Sequence, residues 1–503
     1  MLLLSACQSV EALPPTATTL RVIQATIVPT VDRALHAVAS AAPGVPPTPD
    51  ECQASAALPT TQHRVRAEIN YETHRIAVAQ VIRTINRGSE TLNQIVLDVE
   101  PNRFSGIFTL DILETDHGAL GYELTARRLT IDLETPFAPG CALEIDLNFT
   151  LRVPLIGEGI NSYGGYLGYT ANQMNLGQWL PVVAVRRSGE WVTHDVSVIG
   201  EQTVAEVADW DVDLTVSDIA EGMRVAAPGT LREAEANRWR YKLSSTREFT
   251  LSLSPHYEVL SAVTESGVEV EVYSFAQRSV QMEAGQVNSS QQALDAAVQS
   301  LTMYGDLFGA FSYDRFVVVQ GDFPDGMEFS GIVFVSDQWF RSNTGTPQSY
   351  LTIITVHETA HQWWYARVGS DQALNPWLDE ALATYSEYIF YEEYYPDLKT
   401  WWWNFRVDTF VPADYLGHPV GSGVYEFGTV REYINAVYLR GAQMLDDLRE
   451  EVGTDAFFDW LRRYAEAGQN RIVTPDAFWS LLTSEQLDVT RETRVKFLGA
   501  GRT

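Results

Sequence analysis

Apolar and polar residues alternate in short runs from residue 61 to about 260, with turn residues between the runs. The alternation is clearest over 65–71, 76–85, 129–133 and 143–153, and Pro139 and Gly140 separate the last two. A period of two sends successive side chains to opposite faces of a sheet, so an all-β domain is expected here. The runs 250–253 and 268–273 read as further strands, and the Gly-rich stretch 157–168 as a loop.

Beyond about residue 280 the period becomes helical. Residues 288–307 are amphipathic, and 316–319 read as a short buried strand followed by the turn-rich Gly321, Asp322, Phe323, Pro324, Asp325 and Gly326. Helices are expected over 351–366, from Asn375 and Pro376 onward, and over about 430–451, 454–466 and 475–482. Proline suits a helix start, because its missing N–H would lack an intrahelical partner there anyway. Gly453 and Gly468 stand where C-terminal caps belong.

Composition narrows the class. The chain has 503 residues, 45% of them apolar, with 13 Trp, 22 Tyr and 21 Phe, enough to fill several cores. Lys and Arg number 35 against 65 Asp and Glu, a net charge of −30. Nucleic-acid binding rests on cations facing phosphates, so a chain this acidic, with no large basic cluster, is not expected to do it. Arg127–Arg128 and Arg186–Arg187 read as exposed strand ends rather than binding patches.

No run of about 18 apolar residues occurs, so a membrane-spanning helix is not expected. Residues 1–7, ending at Cys7, read as the truncated end of a bacterial lipoprotein signal with lipid attached to that cysteine. Residues 8–60 hold eight of the 22 prolines, with many Ala and Thr, and read as a tether. The expectation is an extracytoplasmic protein anchored to a bacterial membrane only through Cys7. For Cys52 and Cys141 two readings stay open, one disulfide or two buried thiols.

His357, Glu358, Thr359, Ala360 and His361 spell His-Glu-x-x-His. On a helix the two histidines lie about one turn apart and project from one face, so both imidazoles can bind a single zinc ion. Glu358 lies between them, offset around the helix, where its carboxylate can act as base toward a zinc-activated water. A hydrolytic zinc needs three protein ligands and one open position. Glu380, in Trp377-Leu378-Asp379-Glu380-Ala381 on the next helix, is the expected third. Two histidines and one glutamate form the ligand set of the thermolysin type.

These residues, with Gln362 and Trp363 after the first motif and Ala383 and Tyr385 after the second, resemble the gluzincin zinc aminopeptidases. Membrane alanyl aminopeptidase and the leukotriene epoxide hydrolase belong to that family. Asp325-Gly326-Met327-Glu328-Phe329 is similar to its Gly-Ala-Met-Glu-Asn loop, and Tyr438-Leu439-Arg440-Gly441-Ala442 to its Tyr-x-Lys-Gly-Ala segment. The resemblance covers about residues 60–500 and is strongest over 307–445. It implies one zinc ion on His357, His361 and Glu380, Glu358 as general base and later acid, and Tyr438 as hydroxyl donor to the tetrahedral oxyanion. It also implies that Glu328, with Gly326 and Met327 in its loop, binds the free α-amine of a peptide substrate. The implied fold is multidomain: the β domain at 61–260, then an α+β thermolysin-like metallopeptidase domain with a short helical C-terminal part at 261–503.

The chain departs from the family pattern in places. Asp325 and Gly326 stand for Gly-Ala, Phe329 for Asn, and Arg440 for Lys. The altered loop keeps a zinc endopeptidase, or another zinc hydrolase on the same fold, as an alternative to an aminopeptidase. A peptide-binding lipoprotein without turnover is the alternative of another class. Thr384 and Glu387, one and two turns beyond Glu380, are candidates to orient a histidine ligand, and Asp414 and His418 are a candidate polar pair near the site. Larger family members continue into a long helical domain over the site, so a chain ending at Thr503 is expected to leave a more open cleft that admits longer peptides. Oligomeric state and preferred N-terminal residue carry no signal in the sequence.

Overall fold

The alternating pattern of the first half closes into sheets in the computed structural model, which describes residues 60–157, 165–235, 237–275, 288–412 and 414–499. The expected signal, the lipidation site Cys7, Cys52 and all of the tether except residue 60 lie outside the described residues. Strand Thr61–Asn70 pairs in parallel with Ala208–Ser217 and antiparallel with Arg75–Ile85, at the centre of a seven-stranded sheet. In Ala142–Arg152, Leu143, Ile145, Leu147, Phe149 and Leu151 are buried and the residues between them are half-buried, as a two-faced strand requires. Two four-stranded sheets, built around Leu92–Asp98 and Leu251–Ser254, share one apolar core with it.

A further sheet of five strands stands between this core and the helices. Its strands are β1 (Tyr257–Val263), β2 (Glu269–Phe275), β3 (Arg315–Gly321), β4 (Gly326–Phe329) and β5 (Ile332–Ser336), in the order β1-β2-β3-β5-β4. β2, β3 and β5 run parallel, and β4 runs antiparallel beside β5. Both faces are covered, which is why β3 and β5 are runs of apolar residues with no alternation. Val317 and Val319 of β3 enter the β-domain core, while Phe316 and Val318 enter the helical core.

The helical core is built from α1 (Ser289–Phe308), α2 (Tyr350–His361), α3 (Trp377–Tyr394), α4 (Arg440–Val452) and α5 (Thr454–Ala467). The helix expected over 351–366 is α2 continued by a wide π turn, Gln362–Arg367. The one expected over 430–451 is interrupted in the same way: a first turn Val430–Tyr433, a π segment Ile434–Leu439, then α4. The last expected helix is shorter, Pro475–Trp479. Gly453 ends α4 with φ 86° and ψ 146°, a positive φ that favours glycine but not the left-handed helical turn expected of a cap. Gly468 has a negative φ, −86°. Its reason is space, since a Cβ there would lie 2.6 Å from Val368 Cγ1. Among the described residues no helix is long and apolar enough to cross a membrane.

Arg127 corrects the expectation of an exposed strand end. Its side chain is 1% exposed and lies under the sheet, paired with Asp98 and, at 2.7 Å, with Glu100. The turn that carries it folds inward because two buried carboxylates need a cation. Arg128 is half-buried and donates to Thr193 Oγ1 at 3.0 Å, and Arg186 pairs with Glu90 at 2.5 Å. Cys141 is buried and disulfide-bonded, and both other cysteines lie outside the described residues.

The buried pairing has a measurable cost of removal. Arg127→Met leaves Asp98 without its cation and Glu100 with Arg103 alone, so stability should fall by about 3–5 kcal/mol, read from the midpoint and slope of urea unfolding. A midpoint within error of the parent protein's would show that these carboxylates do not depend on Arg127.

Candidate metal centre and active-site cavity

α2 begins at Ser349, whose side chain accepts from the Thr352 N–H, and every residue from Leu351 to His361 is buried. Four of the last five are polar, so each needs a partner inside the protein. His357 and His361, one turn apart, turn their Nε2 atoms toward each other at 3.1 Å. Glu380, in the first turn of α3, brings its Oε2 to 3.3 Å from His357 Nε2 and 3.5 Å from His361 Nε2. α3 is held there by close packing against α4, where a Cβ on Gly441 would lie 2.4 Å from that of Ala381.

The outer nitrogens are also engaged. His357 Nδ1 donates to Glu387 Oε1 at 2.8 Å, and His361 Nδ1 donates to Asp379 Oδ1. Glu387 is braced in turn by Arg406, through two bonds of 2.9 Å, and by Trp402 Nε1 at 3.1 Å. Gln372 donates to Asp379 Oδ2 at 2.6 Å and to Glu328 Oε1 at 3.2 Å. With both Nδ1–H groups committed outward, two imidazole lone pairs and a carboxylate oxygen face inward within 3.1–3.5 Å of one another. That arrangement is repulsive without a positive charge among them. Burial lowers the His357 pKa, yet hydrogen bonds to Glu380 and Glu387 outweigh it and push it up to about 9. Burial also lowers that of His361, and there the charges of Asp379 and Glu380 win and push it well above its usual value. The donor set and its outer carboxylates fit a zinc ion bound by two histidines and one glutamate.

Glu358 points from the same helix into a cavity of about 180 Å³ lined also by Glu201, Gly326, Glu328, Arg431 and Tyr438. Its Oε1 would lie 2.0 Å from a Cβ on Gly326, so only glycine at that position leaves the carboxylate where it is. Its Oε2 is buried with no protein partner among the described residues. Burial drives the carboxyl well above the ordinary range, against the pull of His357 and His361.

β4 explains how the rest of the loop divides. In a strand, neighbours point to opposite faces. Glu328 faces the cavity, whereas Met327, expected beside it at the substrate, packs in the β-domain core and is 3% exposed. Gln362, just after the histidine motif, ties this hairpin to α2. It accepts from the Gly331 N–H at 2.8 Å and donates to Phe329 O at 3.1 Å. Burial pushes Glu328 up to about 7, with His361 opposing and Glu380 and Asp379 adding to the rise.

Tyr438 sits in the π segment before α4, half-buried, with its ring parallel to that of His357 at 5.8 Å between centroids. Thr384 donates back to the Glu380 carbonyl at 2.7 Å, which leaves Glu387 as the residue that orients His357. Arg440 turns away from the cavity and donates to Tyr415 O at 2.9 Å and Lys496 O at 3.2 Å. Asp414 is exposed and His418 packs edge-on against Phe427, so the expected pair does not form at the site.

Sequence reasoning missed Glu201, which arrives from the β domain. Glu201, Glu328 and Glu380 each offer a carboxylate oxygen within 4.8 Å of the others. The segment carrying Glu201 is clamped by Arg103, which donates to Ser197 O at 2.7 Å, and by Arg127, which donates to Thr203 Oγ1 at 3.0 Å. Burial, reinforced by the charges of Glu328 and Glu380, raises the Glu201 carboxyl well above its ordinary value. No local motif marks it. Asp379 was visible beside Glu380, but nothing in the spacing assigned it to His361.

Comparison with known proteins agrees with this geometry. Human endoplasmic reticulum aminopeptidase 1 is 29% identical over 240 residues, which are 45% of this chain and 24% of that protein. Rice aminopeptidase M1-D is 24% identical over 239 residues, 45% of this chain and 26% of that protein. The matched region thus spans about a quarter of the length of these curated relatives. Among solved structures, an M1 zinc metallopeptidase from Deinococcus radiodurans, a mutant bound to a Tyr-Ser-Ala substrate, superposes with a TM-score of 0.62 at 18% identity. The superposition covers 88% of this chain and 95% of that one, so the two share a fold from the β domain through the helices. The model of the peptidase family M1 domain matches residues 292–495, the stretch that holds both histidines, Glu358, Glu380 and Tyr438. Over that stretch the chain is similar to the peptidase family M1 domain.

Proposed function

We propose that this protein is a zinc aminopeptidase that removes residues from the free N-terminus of peptides. The observation that carries the reading is the meeting of three carboxylates, Glu201, Glu328 and Glu380, beside the two histidines. A cluster of like charges in a buried site is stabilised by a cation, and a peptide's α-ammonium is a cation at one defined end of the chain. Held there, the first peptide bond lies next to the metal centre, and internal bonds do not. The names of the relatives, aminopeptidases among them, support the same reading.

His357, His361 and Glu380 would hold the ion, with Glu387 and Asp379 fixing the two rings. When bound, zinc supplies a Lewis acid and lowers the pKa of a water molecule. Glu358 accepts the proton of the attacking water and passes it to the leaving amine, a role suited to a carboxyl whose pKa burial raises above its ordinary value. The Tyr438 hydroxyl donates to the oxyanion that forms on the former carbonyl. Glu328 and Glu201 pair with the ammonium. We place the enzyme outside the cytoplasm, anchored through Cys7. The disulfide at Cys141 supports an oxidising compartment, where such bonds persist.

One peptide offered with a free and with an acetylated N-terminus tests the reading by mass spectrometry of the products. Stepwise loss of single residues from the free form alone is expected. Internal cuts in both forms would replace the aminopeptidase by an endopeptidase on the same fold. Glu358→Gln should lower kcat by about 10²–10⁴-fold while zinc content, measured by atomic emission, stays at the level of the parent protein. Full activity in that variant would remove Glu358 from the proton transfer. Glu387→Gln should weaken zinc affinity by about 10–100-fold in competition with a chelator, because His357 then loses the carboxylate that orients it.

A further inference from the structure

The cavity differs in charge on its two sides. Glu201 and Glu328 gather with Glu380 toward His361. On the side of His357 the lining holds two cations, Arg406 and Arg431, and one acid, Asp325, on which both guanidinium charges act. Arg406 is already committed to Glu387 through two hydrogen bonds of 2.9 Å. Arg431 forms no such pair: its charge acts on Asp325, but among the described residues no carboxylate lies within 4.0 Å of it, in a chain with 65 acidic residues against 35 basic ones. Its guanidinium lies 4.8 Å from the centroid of the Phe410 ring, also part of the cavity wall. Stacking on an aromatic face fixes the plane of a guanidinium and leaves its N–H edge free to take a carboxylate in fork geometry.

The helix supplies the distance. Arg431, Ile434 and Tyr438 all line the cavity, at the spacing of one helical face. At a rise of at most about 1.5 Å per residue, less within the wide segment Ile434–Leu439, Arg431 lies within about 10 Å of Tyr438 along the axis. An extended peptide advances about 3.3–3.6 Å per residue, so this span corresponds to about two to three residues beyond the bond being cut. With the α-ammonium held by the carboxylates on the His361 side, the leaving part of the substrate runs toward Arg431.

We infer that Arg431 is a specificity-determining residue, which binds a carboxylate on the leaving side of the peptide and so favours tri- and tetrapeptides with a free C-terminus or peptides with an acidic side chain at the same distance. The inference rests on the aminopeptidase reading above. Both sources present the same group, a carboxylate, and the fork of the guanidinium does not distinguish them. In a protein of net charge −30, a cation at this point also offsets the repulsion that an anionic peptide meets on approach.

The test uses the zinc-loaded full chain and Arg431→Gln, with four substrates: Ala-Ala-Ala, Ala-Ala-Ala-Ala, the C-terminal amide of Ala-Ala-Ala, and that amide with Asp as third residue. For the parent protein the KM of the Ala-Ala-Ala amide should exceed that of the free acid about tenfold, and the ratio should fall close to one in Arg431→Gln. Arg431→Lys should give an intermediate ratio, since a point charge remains without the fork. Recovery of low KM by the Asp-containing amide extends the subsite to side-chain acids, and its failure limits the subsite to chain ends. Either result supports the assignment, provided the acid-to-amide ratio depends on Arg431. Equal KM values for acid and amide in the parent protein, or a ratio unchanged in Arg431→Gln, would overturn it while leaving the aminopeptidase reading intact. Absence of hydrolysis of all four by the parent protein would overturn both.

Discussion

Two imidazole lone pairs and a carboxylate oxygen meet within 3.5 Å in the interior of this protein, and the structure around them is arranged to make that tolerable. The problem is electrostatic: none of the three atoms can hydrogen-bond to another unless a positive charge stands between them. Outward carboxylates answer half of it by binding the Nδ1–H groups, which fixes each ring with its basic nitrogen inward. A zinc ion answers the other half. The burial of α2 on all sides, the Arg406 that balances Glu387, and the Gln372 that joins Asp379 to Glu328 all serve this one constraint.

The five-stranded sheet makes this possible by separating two cores. Consecutive residues of β3 go to opposite sides, so β domain and helices are packed on one shared element and cannot shift independently. The consequence for chemistry is direct. β4, at the edge of that sheet, presents Glu328, while the β domain delivers Glu201 on a segment clamped by Arg103 and Arg127. The acidic end of the cavity therefore belongs to both halves of the molecule.

Wide helical turns recur around the site. Among the described residues the π segments are Gln362–Arg367, directly after His361, Trp403–Asp408, which carries Arg406, and Ile434–Leu439, which carries Tyr438. Such a turn inserts an extra residue and rotates the helix beyond it, and it occurs often at functional sites. Here each one re-aims a side chain of the site or its support. The regular helices expected from the sequence miss this, because an apolar period read at 3.6 residues is insensitive to a single wide turn.

What the sequence determined by itself was set by local geometry. Alternation over 143–153 is a property of the strand backbone, and the four-residue spacing of His357 and His361 brings them to one face of any helix. The Glu380–Glu387 spacing likewise put both carboxylates on one face of α3, where each reaches His357. Packing decided the rest. That Arg127 is buried, that Met327 turns away while Glu328 turns in, that Asp379 rather than Thr384 engages a histidine, and that Glu201 completes the acidic cluster all depend on elements distant in the chain coming together. No local period encodes such meetings. They are fixed only when both faces of the shared sheet are covered and each buried charge has found its partner.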